Sequence, residues 1–454
     1  MRLLSHAPFV LALSTSVAAQ SSTEQQPLPS APLGNVLLIV ADDVGCDMVG
    51  LFGQRPDAPP TPTLDALAAS GVSFVSTYTD PICSPTRACI LTGRYGFRTG
   101  FGSAIPPSGV DHSLASSEVT LPEHLRALAP QSIDNAAIGK WHLSAPPLNV
   151  ALEPNLQGFD WFEGMAGNLF LGQTYFAHTK IRNGNSIPST TYITTEQADD
   201  ALHRTRVLQE PWFMYVAFNA GHAPWHTPPA NLHGYALSGN PNATPEDHYR
   251  ASVEAMDTEL GRLLNGMDPE VRSRTTVIFI GDNGSPNEVA TPPSVPGQSK
   301  GTLYEGGVLV PLIVSGPAVR YPGSRCYSLV NSVDVFPTVL ELLHTPVSET
   351  QPARRELDGV SIVPYLVTPW RAPLRDWVYA SRFAPNGFGP YSTYGRMVRS
   401  SRWKLIERDT QGDLFFDMAS NQGESLNLAA GPMTPQQTTA YGRAKKALRE
   451  IWTQ

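Results

Sequence analysis

Four apolar runs frame the chain. Residues 36–40 (VLLIV) run into Ala41-Asp42-Asp43, and residues 136–138 (AAI) into Gly139-Lys140-Trp141-His142. Residues 212–218 (WFMYVAF) run into Asn219-Ala220-Gly221-His222, and residues 276–280 (TVIFI) into Gly281-Asp282-Asn283-Gly284. Within each run the apolar residues are continuous rather than alternating, as in strands buried on both faces. Residues 63–69, 121–128 and 246–264 carry apolar positions at helical spacing. Strands that alternate with helices predict an α/β fold.

Past about Pro346 the pattern changes. Residues 349–355 read as a surface connection. Short alternating runs at 394–399, 403–407 and 413–416 predict a small antiparallel sheet, and 441–452 a closing amphipathic helix. There is no internal repeat. The expected architecture is a large, mostly parallel sheet flanked by helices, with a small C-terminal antiparallel sheet and helix. Its expected divisions are a main domain at 35–346, a connection at 347–376 and a small α+β subdomain at 377–454.

The polar residues that close the four runs all follow the C-terminal end of a predicted strand. In open α/β sheets that edge binds ligands. Asp42, Asp43, Lys140, His142, His222, Asp282 and Asn283 are therefore candidate site residues. Asp42, Asp43, Asp282 and Asn283 offer hard oxygen donors, which suit Ca²⁺ or Mg²⁺ rather than zinc. Taken alone, each of these pairs is ordinary in a turn or cap; together at strand ends they form a metal-site candidate.

The N-terminus begins MRLLSHAPFVLALSTSVAAQSS. Arg2, the apolar stretch 8–17 and the small residues at 17–19 form a signal-peptide pattern over 1–19, too short to span a membrane. A Ser/Gln/Pro-rich leader follows at 20–34. No later stretch has the ~18 consecutive apolar residues of a membrane helix. The expectation is an exported protein, periplasmic or secreted, with no stable membrane span.

The 454 residues carry a formal net charge of −8, with 16 % charged and 41 % hydrophobic residues. A non-specific nucleic-acid binder is usually basic, so no nucleic-acid partner is expected. The cysteines are Cys46, Cys83, Cys89 and Cys326. Four in a chain this long do not make a disulfide scaffold, and no CxxC pair offers a zinc site. If Cys83 is reserved for chemistry, at most one disulfide forms among the other three. Cys83 itself reads as a disulfide partner, a metal ligand, a thiol nucleophile or a modification target.

Its surroundings narrow that choice. Cys83-Ser84-Pro85-Thr86-Arg87 continues to Leu91-Thr92-Gly93-Arg94. This matches the pattern C-x-P-S/T-R-x-x-x-L-T-G-R, so the chain resembles the type I sulfatases of the alkaline phosphatase superfamily. The resemblance covers nearly the whole mature chain. It includes residues 35–43 (NVLLIVADD), 61–68 (TPTLDALA), 139–143 (GKWHL), His222-Ala223-Pro224, Asp282-Asn283-Gly284, Lys300 with Tyr304-Glu305-Gly306-Gly307, residues 403–406 (WKLI) and residues 413–417 (DLFFD).

The resemblance implies an alkaline phosphatase-like fold and sulfuric ester hydrolysis. It implies that a formylglycine-generating enzyme converts Cys83 to Cα-formylglycine (3-oxoalanine). It places the catalytic groups at Cys83, Arg87, Lys140, His142, His222 and Lys300. It places the metal, usually Ca²⁺ with Mg²⁺ as the other option, at Asp42, Asp43, Cys83, Asp282 and Asn283. In the implied mechanism one hydroxyl of the formylglycine hydrate attacks sulfur in line. The alcohol leaves, protonated by His222 or Lys300; His142 then deprotonates the second hydroxyl, which expels sulfate. Arg87 holds the hydrate and a metal ligand, and Lys140 contacts sulfate. Fixed cations act here because negative charge grows on the sulfate-ester oxygens as the bond breaks.

The chain departs from the family at Leu309, where an arginine is common; that position is expected to be structural. Cys89 is expected to be a small buried apolar residue. His226 is expected to line the substrate pocket or to cap a loop, and the loop 161–175 to form a pocket wall. The rival readings are a phosphonate monoester or phosphodiester hydrolase on the same scaffold, a sulfated-glycan-binding protein without activity, and a thiol hydrolase using unmodified Cys83. The expected substrate is an aryl sulfate or a sulfated saccharide. Residues 94–100 (RYGFRTG) lean toward arylsulfatase-type enzymes.

Overall fold

The computed structural model describes residues 34–106, 109–129, 131–169, 172–291, 295–346, 356–421 and 423–453. The expected signal peptide, nearly all of the leader, and the stretch 347–355 of the connection lie outside the described residues.

The main sheet is built from β1 (Asn35–Ala41), β2 (Gly71–Tyr78), β3 (Asp134–Lys140), β4 (Trp161–Met165), β5 (His178–Arg182), β6 (Asn185–Ser189), β7 (Trp212–Phe218), β8 (Thr275–Gly281), β9 (Leu309–Ser315), β10 (Ser324–Cys326) and β11 (Val330–Asn331). Its order is β10-β2-β9-β8-β1-β7-β3-β4-β5-β6, with β11 paired to β2. The central block β8-β1-β7-β3-β4 is parallel throughout. β9 runs antiparallel to β8 and β2, and β5 and β6 form an antiparallel edge.

Strand β1 shows why its sequence carries no alternation. Val36, Leu38 and Val40 face one apolar cluster, with Ala88, Leu121, Phe336 and Leu340. Leu37, Ile39 and Ala41 face another, with Leu64, Ala198, Met256 and Leu260. Helices on both faces demand apolar residues at both parities. The helices beneath the second face are α1 (Pro62–Ala69), Ile193–Thr205 and Pro245–Gly266.

Some elements escaped the sequence pattern. Strand β2 mixes Ser and Thr with its apolar residues. The helix α2 (Cys83–Thr92) has all ten residues buried and so no amphipathic stripe to read. Pro85 sits in its first turn, where no intrahelical N–H is needed. Gly93 closes it at φ 68°, the left-handed conformation that favours glycine at a helix end.

The C-terminal sheet is antiparallel, in the order β12 (Val378–Ala384), β13 (Thr393–Arg399), β14 (Trp403–Arg408), β15 (Leu414–Asp417). One face packs on Ala440, Ala444 and Leu448 of the closing helix Pro435–Thr453. The other packs on Tyr78, Leu303 and Val308 of the main body. Strand β12 is one more than the sequence pattern predicted.

Asp257 of the helix Pro245–Gly266 is fully buried and accepts the backbone N–H groups of Thr63 and Leu64, both at 2.9 Å. It anchors the first turn of α1, whose own N-cap side chain makes no bond. Asp257→Ala is expected to lower unfolding free energy by about 2–3 kcal/mol, with Asp257→Asn losing less, in urea titrations.

Candidate active site

Parallel neighbours deliver their C-terminal ends side by side. Ala41 of β1 pairs with Gly281 of β8 and with Phe218 of β7. The loops that follow interlock through the backbone: Asp282 N donates to the Ala41 carbonyl at 3.0 Å and Asp42 N to the Ala220 carbonyl at 3.1 Å. Asp43 N donates to Asp282 Oδ1 at 3.0 Å. Asp43 and His142 both sit at φ 61°, a strained conformation for residues other than glycine. Tyr249 supports the first of them by donating its hydroxyl to the Asp43 carbonyl at 2.6 Å.

Gly284 lies against the turn Glu305-Gly306-Gly307. Its N–H donates to the Gly307 carbonyl at 3.0 Å, and a Cβ there would lie 1.8 Å from the Gly306 carbonyl oxygen. No side chain fits at this contact.

The charged groups form one buried cluster. Arg87, with no exposed side-chain surface, donates to Asp282 Oδ2 from Nη2 at 2.8 Å and from Nε at 3.2 Å. Its Nη1 donates to the Lys140 carbonyl at 2.8 Å, and Nη2 lies 3.7 Å from Asp42 Oδ1. Lys140 Nζ donates to Asp42 Oδ2 at 2.5 Å. Lys300 Nζ donates to Asp43 Oδ2 at 2.7 Å, and His222 Nε2 is 3.8 Å from the same oxygen.

Cys83 opens α2 and is 1 % exposed. Its Sγ is 3.2 Å from His142 Nδ1. The other ring nitrogen, Nε2, faces the Ile105 carbonyl at 2.9 Å. A carbonyl only accepts, so Nε2 carries the proton and Nδ1 turns a lone pair toward residue 83.

Burial and the charge of Lys140 hold His142 well below the usual histidine range. Burial pushes the Cys83 thiol up, against the pull of Lys140 and Lys300. A thiol nucleophile needs the opposite, a thiolate favoured beside a charged imidazole. The geometry of a Cys–His pair is present, but its electrostatics oppose the thiol-hydrolase reading. Burial would raise Asp42 as well, yet Lys140, His222 and Arg87 hold it far below the carboxylate range. Asp282 goes the other way: burial and the neighbouring Asp42 push it up to about 7.

The oxygen donors fit a hard cation. Asp42 Oδ1 and Asn283 Oδ1 are buried with no hydrogen-bond partner. Each such atom costs roughly 1–3 kcal/mol of desolvation unless something satisfies it. Ligand atoms of Asp42, Cys83 and Asp282 lie within 4.8 Å of one another, as do those of Asp42, Asp43 and His222. Asn283 Nδ2 donates to Asp43 Oδ1 at 2.8 Å and so leaves its oxygen toward the cluster.

Every site residue named from the sequence is thus in or beside this cluster. Four supporting groups were not legible there: Tyr249, the Ile105 carbonyl, Gln197 and Ser285. Tyr249, Ile105 and Gln197 act from distant segments without a local motif, and Ser285, directly after Gly284, lies just outside one. Gln197 Nε2 donates to Asn219 Oδ1 at 2.7 Å, and Ser285 Oγ lies 3.0 Å from the Tyr249 hydroxyl oxygen.

The Tyr175 hydroxyl lies 2.6 Å from the Asn219 carbonyl and 2.7 Å from the His222 carbonyl and shares its one proton between them, so the end of the 161–175 loop grips the segment that carries His222. His226 stacks on Tyr175 at 3.7 Å between ring centroids and bonds the Tyr192 hydroxyl at 3.0 Å. Cys89 is buried as expected, but its Sγ donates to Asp80 Oδ2 at 3.2 Å, so it is not a purely apolar residue. All four cysteines are free and buried. Leu309 packs partly buried against the cluster shared with the C-terminal sheet.

A family model described as Sulfatase matches residues 34–345, more than half of the chain. The chain belongs to the sulfatase family. The N-acetylgalactosamine-6-sulfatase of Canis lupus familiaris is 29 % identical over 369 residues, 73 % of this chain and 66 % of the relative. The chain thus spans just under two thirds of that relative's length. Arylsulfatase A of Bos taurus is 28 % identical over 453 residues, 88 % of this chain and 84 % of the relative. Among solved structures, Ps i-CgsB superposes with a TM-score of 0.76 at 25 % identity, covering 92 % of this chain and 93 % of that one. A protein solved in complex with its substrate D-glucosamine-2-N,6-O-disulfate gives a TM-score of 0.71 at 19 % identity, over 92 % and 97 % of the two chains.

The unsatisfied oxygens generate a prediction. Ca²⁺ added to chelator-stripped protein is expected to raise the melting temperature, by about 2.7 kcal/mol of stability at a hundredfold excess over Kd. Asn283→Ala is expected to weaken that response, read by calcium titration followed by thermal scanning.

Proposed function

We propose that this chain is a sulfuric ester hydrolase acting on a sulfated saccharide or an aryl sulfate. The observation that carries the reading is residue 83 itself. It is buried at a helix start, 3.2 Å from a neutral histidine, and flanked by Arg87, Lys140 and Lys300. That combination suits a substrate whose transition state gathers negative charge. Relatives named for galactosamine-6-sulfate and aryl sulfate hydrolysis, and a structural neighbour bound to a glucosamine disulfate, support the substrate class. Export to a periplasmic or extracellular space is part of the same reading. Among the described residues no helix is long and apolar enough to cross a membrane.

In this reading a formylglycine-generating enzyme converts Cys83 to formylglycine, and Asp42, Asp43, Asp282 and Asn283 hold Ca²⁺, with Mg²⁺ as the alternative ion. When present, the hydrated aldehyde supplies a geminal diol as nucleophile, and the ion supplies fixed positive charge beside it. The chain's own groups do the rest. His142, fixed by the Ile105 carbonyl, accepts a proton at Nδ1 from the side chain of residue 83. Lys140 and Arg87 face that side chain with positive charge and stabilise the oxygens of the sulfate.

Lys300 is held charged by Asp43 and is placed to protonate the departing alcohol oxygen. His222 has Nδ1 on the Ala223 carbonyl at 2.6 Å, so the Nδ1 proton is committed there. It presents Nε2 toward Asp43 and orients the leaving group. Between the two donors named from the sequence, this favours Lys300.

Protein co-expressed with a formylglycine-generating enzyme is expected to release sulfate from sulfated saccharides or aryl sulfates in preference to matched phosphate and phosphonate esters. Cys83→Ala is expected to lower turnover by on the order of a thousandfold or more with an unchanged melting temperature. Mass analysis of the peptide carrying residue 83 is expected to show an aldehyde in place of the thiol. Full turnover by Cys83→Ala would overturn the reading.

A further inference from the structure

Outside the catalytic cluster, one surface combines aromatic exposure with positive charge. A groove of about 500 Å³ is lined by Arg325, Tyr327, Trp370, Arg371, Arg375 and Asp376, among others. Trp370 is 67 % exposed and Tyr327 72 %. Tyr321, also exposed, lies beside Trp370 with ring centroids 4.8 Å apart, and the Arg320 guanidinium sits over the Tyr321 ring at 5.8 Å. A tryptophan left this open in water contributes little to the core, and exposed aromatic clusters of this kind mark binding surfaces.

The elements present these side chains firmly. Tyr327 sits between β10 and β11, both paired to β2. Trp370 sits in a turn closed by the Arg371 N–H on the Thr368 carbonyl at 3.1 Å. The Arg320 N–H donates to the Leu366 carbonyl at 3.0 Å and ties the two segments together.

The charge balance runs against that of the whole chain. The groove meets a second of about 630 Å³ at Ser401, and the second is lined by Arg402 and Arg443. The two linings hold five arginines and one acid, Asp376, in a chain of net charge −8. Arg375 and Arg402 are committed to Asp334 and Asp417. Arg325, which donates from Nη2 to the Leu51 carbonyl, Arg371 and Arg443 remain against Asp376, and the buried Nε of Arg371 has no hydrogen-bond partner. Flat aromatic faces stack on the C–H faces of sugar rings, while guanidinium forks match the oxygens of sulfate.

We propose that the groove formed by Tyr327, Trp370, Arg325 and Arg371 is a second binding site, for an anionic, sulfated saccharide chain, separate from the catalytic cluster. It holds a polymeric substrate or product while a chain end or branch is processed elsewhere on the enzyme. The choice of saccharide as occupant rests on the sulfated-saccharide reading of the active site; the aromatic and cationic surface does not.

The test is affinity electrophoresis of Cys83→Ala protein through gels containing dextran sulfate, unsulfated dextran or neither. Dextran sulfate is expected to retard the protein and dextran to do so far less. Trp370→Ala and the double change Arg325→Ala with Arg371→Ala are each expected to weaken retardation about tenfold in apparent Kd, with Trp370→Phe restoring most of it. In otherwise unaltered, formylglycine-loaded protein, the same groove substitutions are expected to leave hydrolysis of 4-nitrophenyl sulfate unchanged. Retardation that is unaffected by both groove variants would overturn the proposal. So would an equal loss of retardation by a single-stranded oligonucleotide, which would make the surface a general polyanion binder. Loss of 4-nitrophenyl sulfate hydrolysis in thermally intact variants would overturn it as well, by making the groove part of the catalytic site. If unaltered protein releases no sulfate from any ester, the catalytic reading fails while the gel still decides the groove.

Discussion

The buried guanidinium of Arg87 is the constraint from which the site follows. It has no access to water, and its Nη2–Asp282 and Nη1–Lys140 carbonyl contacts are both 2.8 Å. A buried ion of this kind is tolerated only when its partners are placed well, and deleting one partner typically costs roughly 3–5 kcal/mol because the other is left uncompensated. Arg87 comes from α2, Asp282 from the end of β8, and the Lys140 carbonyl from the end of β3. Asp42, at 3.7 Å, comes from the end of β1. One side chain therefore requires three strand ends and a helix to meet, and the parallel register of β8, β1, β7 and β3 brings them together.

The opposite behaviour of Asp42 and Asp282 follows from the same packing. Both are fully buried, and each sees the other's charge. Lys140 donates directly to Asp42, while Asp282 shares Arg87 with it. Asp42 therefore keeps its charge, and Asp282 bears the repulsion. Three fixed cations, Arg87, Lys140 and Lys300, face the three carboxylates of Asp42, Asp43 and Asp282, yet Asp42 Oδ1 and Asn283 Oδ1 still have no donor. Those two oxygens offer the ligand chemistry that a hard divalent ion takes.

What was legible in the sequence was what is local. Continuous apolar runs ending in polar residues revealed β1, β3, β7 and β8 and, with them, the sheet edge that carries the candidate site. The cysteine-to-arginine segment was legible as a motif but not as a helix, because complete burial erases the periodicity on which helix reading depends. Strand β2 was hidden by its Ser and Thr content. Tyr249 reads as one more apolar position of a long helix, and only the fold shows that its hydroxyl reaches the Asp43 carbonyl 206 positions away. Ile105 could not be found from its side chain at all, since its carbonyl does the work.

The C-terminal sheet shows why a departure at one position leaves the site intact. Leu309 stands where an arginine is common in the family, close in sequence to the acidic turn at Glu305. Glu305 does not lack partners: the Tyr78 hydroxyl and Lys404 Nζ both donate to it at 2.8 Å, and Arg399 lies 3.9 Å away. Lys404 is completely buried and also meets Glu424 at 2.7 Å, whose carboxylate accepts the Glu305 backbone N–H at 2.6 Å. Burial would raise Glu305, and Lys404 and Arg399 hold it below its ordinary range. The turn secured in this way receives the Gly284 N–H, one residue after Asn283. The small sheet therefore reaches the metal-binding candidates through a chain of buried charges. Strands β13 and β14 supply positive charge to the turn, and Leu309 is free to pack.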